Sequence, residues 1–299
     1  MTNQKVLGVL FGISAGAMWA AEAILGKLLF RSFDFIQVAA LEAFFGTLTA
    51  FAYVFLRRER VNLDRKDTWN LLVVGLVGTV FASLMYFYGL TETYAVNATL
   101  IGHMQPLFVA FFGFYFLKEG LRKHDLVAGL FMISAAILIT TRTPAGLAGF
   151  RFGNRGDLMV LFATVSWAFV AIPGKRLTEK ASSVVIVGCR FLIASLAFMP
   201  VLLGLNRLIV SSIEQVLLGV LVGLGYVFYY EGLRRIKAGQ IALTELSAPF
   251  FTAIFAWYLL NEIVTPMQIF GALLLAFGLY VLTREKPLVG EDLEARRGN

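Results

Sequence analysis

Glu42, His103, Arg190 and Glu245 are side chains that can carry charge and lie deep inside long apolar runs of this 299-residue chain. A carboxylate held away from bulk water can receive an ammonium group or a proton. A guanidinium can receive a carboxylate, and an imidazole can exchange a proton near neutral pH. Ionisable groups placed this way are costly and mark solute or proton pathways. Trp19, Tyr86, Trp167 and Tyr229 add rings that could wall a pocket. Helix packing, or an interfacial belt for the two tryptophans, is the plainer role for those rings. Together the eight residues describe non-covalent binding of a small solute.

Covalent chemistry has little to work with. Cys189 is the single cysteine, and His103 and His124 are the two histidines. A disulfide framework, a thiolate cluster and a His-rich metal site are all out of reach, and no cofactor is expected. Gly12-Ile-Ser-Ala-Gly16 matches the G-x-S-x-G nucleophile elbow, but that motif needs a strand–turn–helix context. Asn97-Ala-Thr99 matches a glycosylation sequon at a span end. The sequence contains no G-x-x-x-x-G-K-[S/T] run, so ATP binding through that motif is excluded. An intramembrane enzyme would need a Ser–His pair or several His or Asp ligands, and His103 alone does not supply them.

These residues need elements to position them. The chain is 59% hydrophobic and 15% charged, with mean hydropathy +0.77, whereas soluble domains are about 25% charged. An all-α integral membrane protein follows, because backbone groups in lipid must be satisfied within each segment. Strict alternation is absent, which argues against a β-barrel. Apolar runs predict ten transmembrane helices over Val6–Phe30, Phe35–Leu56, Thr68–Leu90, Ala95–Leu117, Asp125–Thr141, Gly156–Leu177, Val184–Leu205, Ser211–Leu233, Gly239–Leu260 and Pro266–Leu282. The first is too long for a signal-peptide core and carries Glu22 and Lys27, so it is read as retained.

A net charge of +7 would suggest nucleic acid in a soluble chain. Here the basic residues sort by side: 19 Lys and Arg lie on the N-terminal side of the ten spans and 5 on the other, with Lys27 and Arg190 inside spans. The bias predicts both termini in the cytoplasm and leaves the lipid bilayer, not nucleic acid, as the macroscopic partner.

The two halves repeat. Trp19 and Gly26-Lys27 match Trp167 and Gly174-Lys175 at an offset of 148. Tyr86, Gly89-Leu90 and Ala95 match Tyr229, Gly232-Leu233 and Ala238 at 143, as Pro106, Ala110, Tyr115 and Glu119 match Pro249, Ala253, Tyr258 and Glu262. Thr141-Arg142 matches Thr283-Arg284 at 142. Residues 1–142 form the first five-helix repeat, 143–155 an external linker, 156–284 the second repeat and 285–299 a cytoplasmic tail. Five helices per half is odd, so the second repeat enters from the opposite side and the repeats are inverted. Secondary transporters use this architecture, with solute bound near the midplane between repeats.

Ten helices as 5+5, the Trp…Gly-Lys end of the first helix in each half, and the Pro…Glu fourth helices resemble the EamA-type drug/metabolite transporter superfamily over residues 6–284. Within it the chain looks most like bacterial exporters of amino acids, including aromatic ones. The resemblance implies an inner-membrane exporter working by alternating access. Members often carry an Arg in the second helix of each half; here Arg190 fills the second position and Glu42 the first. Cargo of the same fold could instead be nucleotide sugars or other phosphorylated solutes, which would call for more cavity cations than Arg190. Energy would come from gradients, with Glu42, His103 or Glu245 as proton carriers or with facilitated diffusion. A monomer suffices for the architecture.

Depth follows from the rise of 1.5 Å per residue. Glu42 lies about 10 Å and His103 about 12 Å from the outer end of their helices; Arg190 and Glu245 lie about 9 Å from the cytoplasmic end. A direct Glu42–Arg190 bridge is therefore not expected; the pairs Glu42–His103 and Arg190–Glu245 are. Glu22, about 24 Å from the cytoplasmic end of its helix, reads as a gate or surface group. Lys27 snorkels, and Lys175 and Arg176 anchor the topology. Gly8, Gly12, Gly16 and Gly219…Gly223 predict close helix packing. Pro106 and Pro249 predict matched kinks.

Overall fold

A computed structural model describes residues 3–58, 64–117, 123–148, 153–178, 180–207, 210–236, 241 and 244–283. The described residues are helical, with no strand. Glu119, Ala238, Arg284 and the 285–299 tail lie outside them.

The helices are α1 (Asn3–Leu29), α2 (Phe35–Arg57), α3 (Arg65–Gly75), a π-helical segment (Leu76–Phe81), α4 (Ala82–Glu92), α5 (Ala95–Gly102), α6 (Gln105–Leu117) and α7 (Lys123–Thr141). The second half has a short α8 (Pro144–Ala148) in the linker, then α9 (Arg155–Phe169), α10 (Ala171–Thr178), α11 (Ser183–Gly204), α12 (Ile213–Leu233), α13 (Ser247–Leu260) and α14 (Pro266–Thr283). Seven passes are long and apolar enough to cross a bilayer, and three shorter apolar helices, Leu126–Thr141, Ser247–Leu260 and Pro266–Val281, stand where the other three were expected. Phe55, Leu130, Leu196, Phe250 and Leu273 face outward, as lipid-facing side chains do.

Local signals start the helices. Asp34 caps α2 by accepting from the Ile36 and Gln37 amides at 2.8 and 3.0 Å. Asn154 caps α9 at the Asp157 amide (2.8 Å), while the Asp157 carboxylate returns to the Asn154 amide (3.0 Å).

The packing is exchanged by the repeat. Counting passes from the N-terminus, pass 1 (α1) lies on pass 8 (α12) and pass 9 (α13), while pass 6 (α9) lies on pass 3 (α4) and pass 4 (α5, α6). Pass 2 (α2) packs on passes 7 and 8, and pass 7 (α11) on passes 2 and 3; pass 5 packs on pass 10, and pass 4 on pass 9. Adding five to every number returns the same set, as a two-fold exchange of halves requires. Gly8 at the start of α1 meets Ile236 just beyond α12. Gly156 at the start of α9 meets Glu92 and Thr93 at the end of pass 3, which finishes at the other end of the bundle. The halves therefore start at opposite ends.

Small residues allow these approaches. Gly12 lies against Thr244 and Ile241, and Gly16 against Ser247. A Cβ on Gly219 would stand 2.8 Å from the Glu42 carbonyl oxygen. Between α2 and α11, Thr47 and Ser195, 148 positions apart, share a hydrogen bond of 3.1 Å.

Candidate functional site

The site is built on α1 and α2. Trp19 and Glu22 are one turn apart, so they share a face of α1. Glu22 stands seven residues before the end of α1 and Glu42 seven residues after the start of α2, which puts both about 10 Å from the same end of the bundle. They lie within electrostatic reach of each other, and Arg190 within reach of Glu42. Glu22 is thus not a surface group. Distance from the N-terminal end misplaced it because α1 is longer than the bilayer core; distance from Leu29 places it correctly. Glu42 is 4% exposed, and its Oε2 has no hydrogen-bond partner.

Arg190 projects from α11 onto pass 3. Its Nε donates to Thr79 Oγ1 at 2.8 Å and its Nη2 to the Gly78 carbonyl. Both acceptors sit in the π-helical segment, whose altered bonding leaves a carbonyl free for another partner. The guanidinium also lies 5.5 Å from the Tyr226 ring and 5.9 Å from that of Phe191. Among the described residues Arg190 makes no ion pair with Glu42, although it lies within electrostatic reach of it, closer than the depth estimate implied.

The aromatics form two related clusters. Trp19 meets Tyr229 at 5.9 Å and Tyr226 at 6.1 Å between ring centroids. In the other half Trp167 meets Tyr86 at 5.5 Å. Tyr226 is within electrostatic reach of Glu22, Glu42, Arg190 and Glu245 together. Glu22, His103, Tyr226, Tyr230 and Glu245 are half-buried and, with the buried Glu42, make up a polar and aromatic chamber between the helices.

Two broken helices complete it. Pass 4 is interrupted at His103–Met104 and pass 9 at Leu246, just before Pro106 and Pro249. Each proline lacks the N–H that would bond four residues back, which frees the carbonyls of Gly102 and Glu245. His103 Nδ1 sits 2.7 Å from the Thr99 carbonyl, and the ring also bonds the Glu245 backbone. His103 therefore sits by Glu245, while Glu42 has Glu22 and Arg190 as its charged neighbours. Arg190 and Glu245 are both felt by Tyr226 and Tyr230, without an ion pair between them among the described residues.

Polar clusters tie both ends of the bundle. At the N-terminal end Glu231 accepts from Tyr53 and pairs with Arg235 at 2.5 Å and Arg57 at 3.5 Å. At the opposite end Glu262 accepts from the Ala95 amide at 3.0 Å and faces Lys27 at 3.9 Å, so Lys27 is partnered as well as amphipathic. Asp157 there accepts from Thr93 and from Asn97 (3.1 Å), beside a pocket of about 530 Å³ where Arg142 stacks on Tyr94.

Sequence reasoning missed Tyr226 and Tyr230 and misplaced Glu22. The spacing Trp19–Glu22 and Tyr226–Tyr230, one helical turn each, was the available signal.

An all-helical bundle of two inverted halves with charged and aromatic side chains gathered between them is the architecture of a membrane transporter. The EamA-like transporter family model matches residues 6–141 and 154–284, and the chain belongs to that family. It is 26% identical to an uncharacterized transporter of Methanothermobacter thermautotrophicus, covering 93% of this chain and 87% of that one. It is 25% identical to the pseudopaline exporter CntI of Pseudomonas aeruginosa, covering 93% and 96%. A solved crystal structure shares the fold at TM-score 0.65 and 19% identity, over 98% of each chain. The chain is thus a small-molecule transporter rather than an enzyme.

Proposed function

We propose that the chain exports amino acids, aromatic ones among them, across a bacterial inner membrane by alternating access between its repeats. The observation that carries this reading is the chamber in which Tyr226 lies within electrostatic reach of Glu22, Glu42 and Arg190 and packs on Trp19, which in turn packs on Tyr229. A zwitterion with an apolar side chain needs an anionic partner, a cationic partner and an apolar wall, and the chamber holds all three. The pseudopaline exporter among the relatives is consistent with outward movement of a small metabolite. Both termini would face the cytoplasm, since basic residues concentrate on that side.

Phosphorylated solutes fit less well. A phosphate calls for more than one cation, and beside Arg190 the other half-buried candidate, Lys27, already faces Glu262. Counterflow in proteoliposomes loaded with each amino acid in turn tests the proposal. Accumulation of labelled phenylalanine against its unlabelled form is the expected result; exchange of nucleotide sugars alone would favour the other cargo.

A further inference from the structure

We infer that Glu22 and Glu42 form a binding site for a primary ammonium group, so that the amine of the solute, more than its carboxylate, is what the chamber recognises. This rests on reading the chamber as the transport site. Glu42 is nearly fully buried and its Oε2 lacks any donor, although an ionised carboxylate accepts and cannot donate. A buried acceptor left unmatched is costly, which makes it a place for an arriving donor. Its nearest charged neighbour on α1 is a second acceptor, Glu22, so the two cannot satisfy each other as ionised groups. A guanidinium could have bridged them, but Arg190 is turned to pass 3, its Nε on Thr79 Oγ1 and its Nη2 on Gly78.

The surroundings select the kind of cation. No group of three or more metal-ligating side chains occurs among the described residues, which disfavours a metal ion. A primary ammonium has three donors, enough for two carboxylates and one further contact. Trp19 stands one turn from Glu22 and meets Tyr226 at 6.1 Å; Tyr86 is within electrostatic reach of both carboxylates. Rings beside carboxylates favour an organic cation through their electron-rich faces. The chamber thus provides three carboxylates, Glu22, Glu42 and Glu245, against one guanidinium among the described residues. That balance suits a cation better than an anion.

The test uses the full chain in detergent and three probes that share one ring: phenylalanine, phenethylamine and hydrocinnamate. Binding is measured by titration calorimetry, and each variant is checked for a normal thermal unfolding transition. Phenethylamine is expected to bind within about threefold of phenylalanine, and hydrocinnamate at least about tenfold more weakly, the factor that 1.4 kcal/mol represents. Glu42→Gln and Glu22→Gln should each weaken phenethylamine about tenfold. Hydrocinnamate binding as tightly as phenethylamine overturns the inference. So does phenethylamine binding that neither substitution changes, the result if the two carboxylates only hold a proton. If a variant does not fold, the ranking of the three probes on the unaltered chain decides. Ammonium selectivity without any amino-acid counterflow would sink the export reading and leave this site standing. Counterflow with no ammonium selectivity would do the opposite.

Discussion

The rings of Trp19 and Tyr229 meet at 5.9 Å with their planes 54° apart, and the same contact is made again by Trp167 and Tyr86 at 5.5 Å and 51°. Offsets of 148 and 143 relate the partners, so one contact has been written twice by the repeat. The pairs tie pass 1 to pass 8 and pass 6 to pass 3, the interfaces that exchange under the two-fold relation.

Equivalent substitutions in the two pairs should therefore have related effects. Trp19→Ala and Trp167→Ala each remove a ring contact worth about 0.5–1.5 kcal/mol beyond area burial. If those contacts serve bound solute, each variant raises the half-saturating concentration in phenylalanine counterflow about tenfold or less. A purely structural pair would lower the unfolding temperature and leave that concentration unchanged.

Thr79→Val keeps shape and deletes the acceptor for Arg190 Nε. Losing a hydrogen bond to a charged donor costs about 1.5–3 kcal/mol. Unfolding in detergent should show that loss. Arg190→Lys should not restore function, because a single ammonium cannot reproduce the fork to Thr79 and Gly78.

Gly219→Val places atoms against the Glu42 carbonyl and Phe45 Cβ, each within 2.8 Å of the new Cβ. Overpacking of this kind costs about 1–3 kcal/mol. Gly204→Val meets nothing within 4 Å and should unfold like the parent. Thermal scans of the two variants compare these costs directly.

Orientation can be read by labelling. Cys189 is the one native cysteine, so Cys189→Ala gives a clean background. A membrane-impermeant maleimide added to intact spheroplasts should label Thr143→Cys and spare Arg58→Cys, both exposed positions. The reverse pattern would overturn the proposed topology.

Outside the spans, Asp64 and Asp67 accept from Lys180 at 2.7 and 3.1 Å and raise its pKa above the ordinary lysine value. A raised lysine value means the tether is present below the ordinary value and lost as pH rises through the raised one. Lys180→Met should speed amide exchange in the α10–α11 connection at neutral pH, and that difference should vanish in strong alkali.

Much of this protein is legible along the chain. Apolar runs, basic loops and the ordered matches between halves are local or additive signals, because the bilayer demands satisfied backbones and charge bias sets topology. The all-helical two-repeat architecture, its inversion, the matched breaks before Pro106 and Pro249 and the rank of Glu42 and Arg190 as unusual residues all follow from them. The partners of those residues do not. Glu22 comes within electrostatic reach of Glu42 only because α1 and α2 bring the two positions to one depth in the folded bundle. Arg190 turns to Gly78 because a π-helical segment exposes a carbonyl there. Tyr226 reaches four charged groups from an otherwise ordinary apolar helix. Depth is nearly linear in residue number, but the angle each helix presents to its neighbours comes from packing across both halves, and tertiary structure alone decides it.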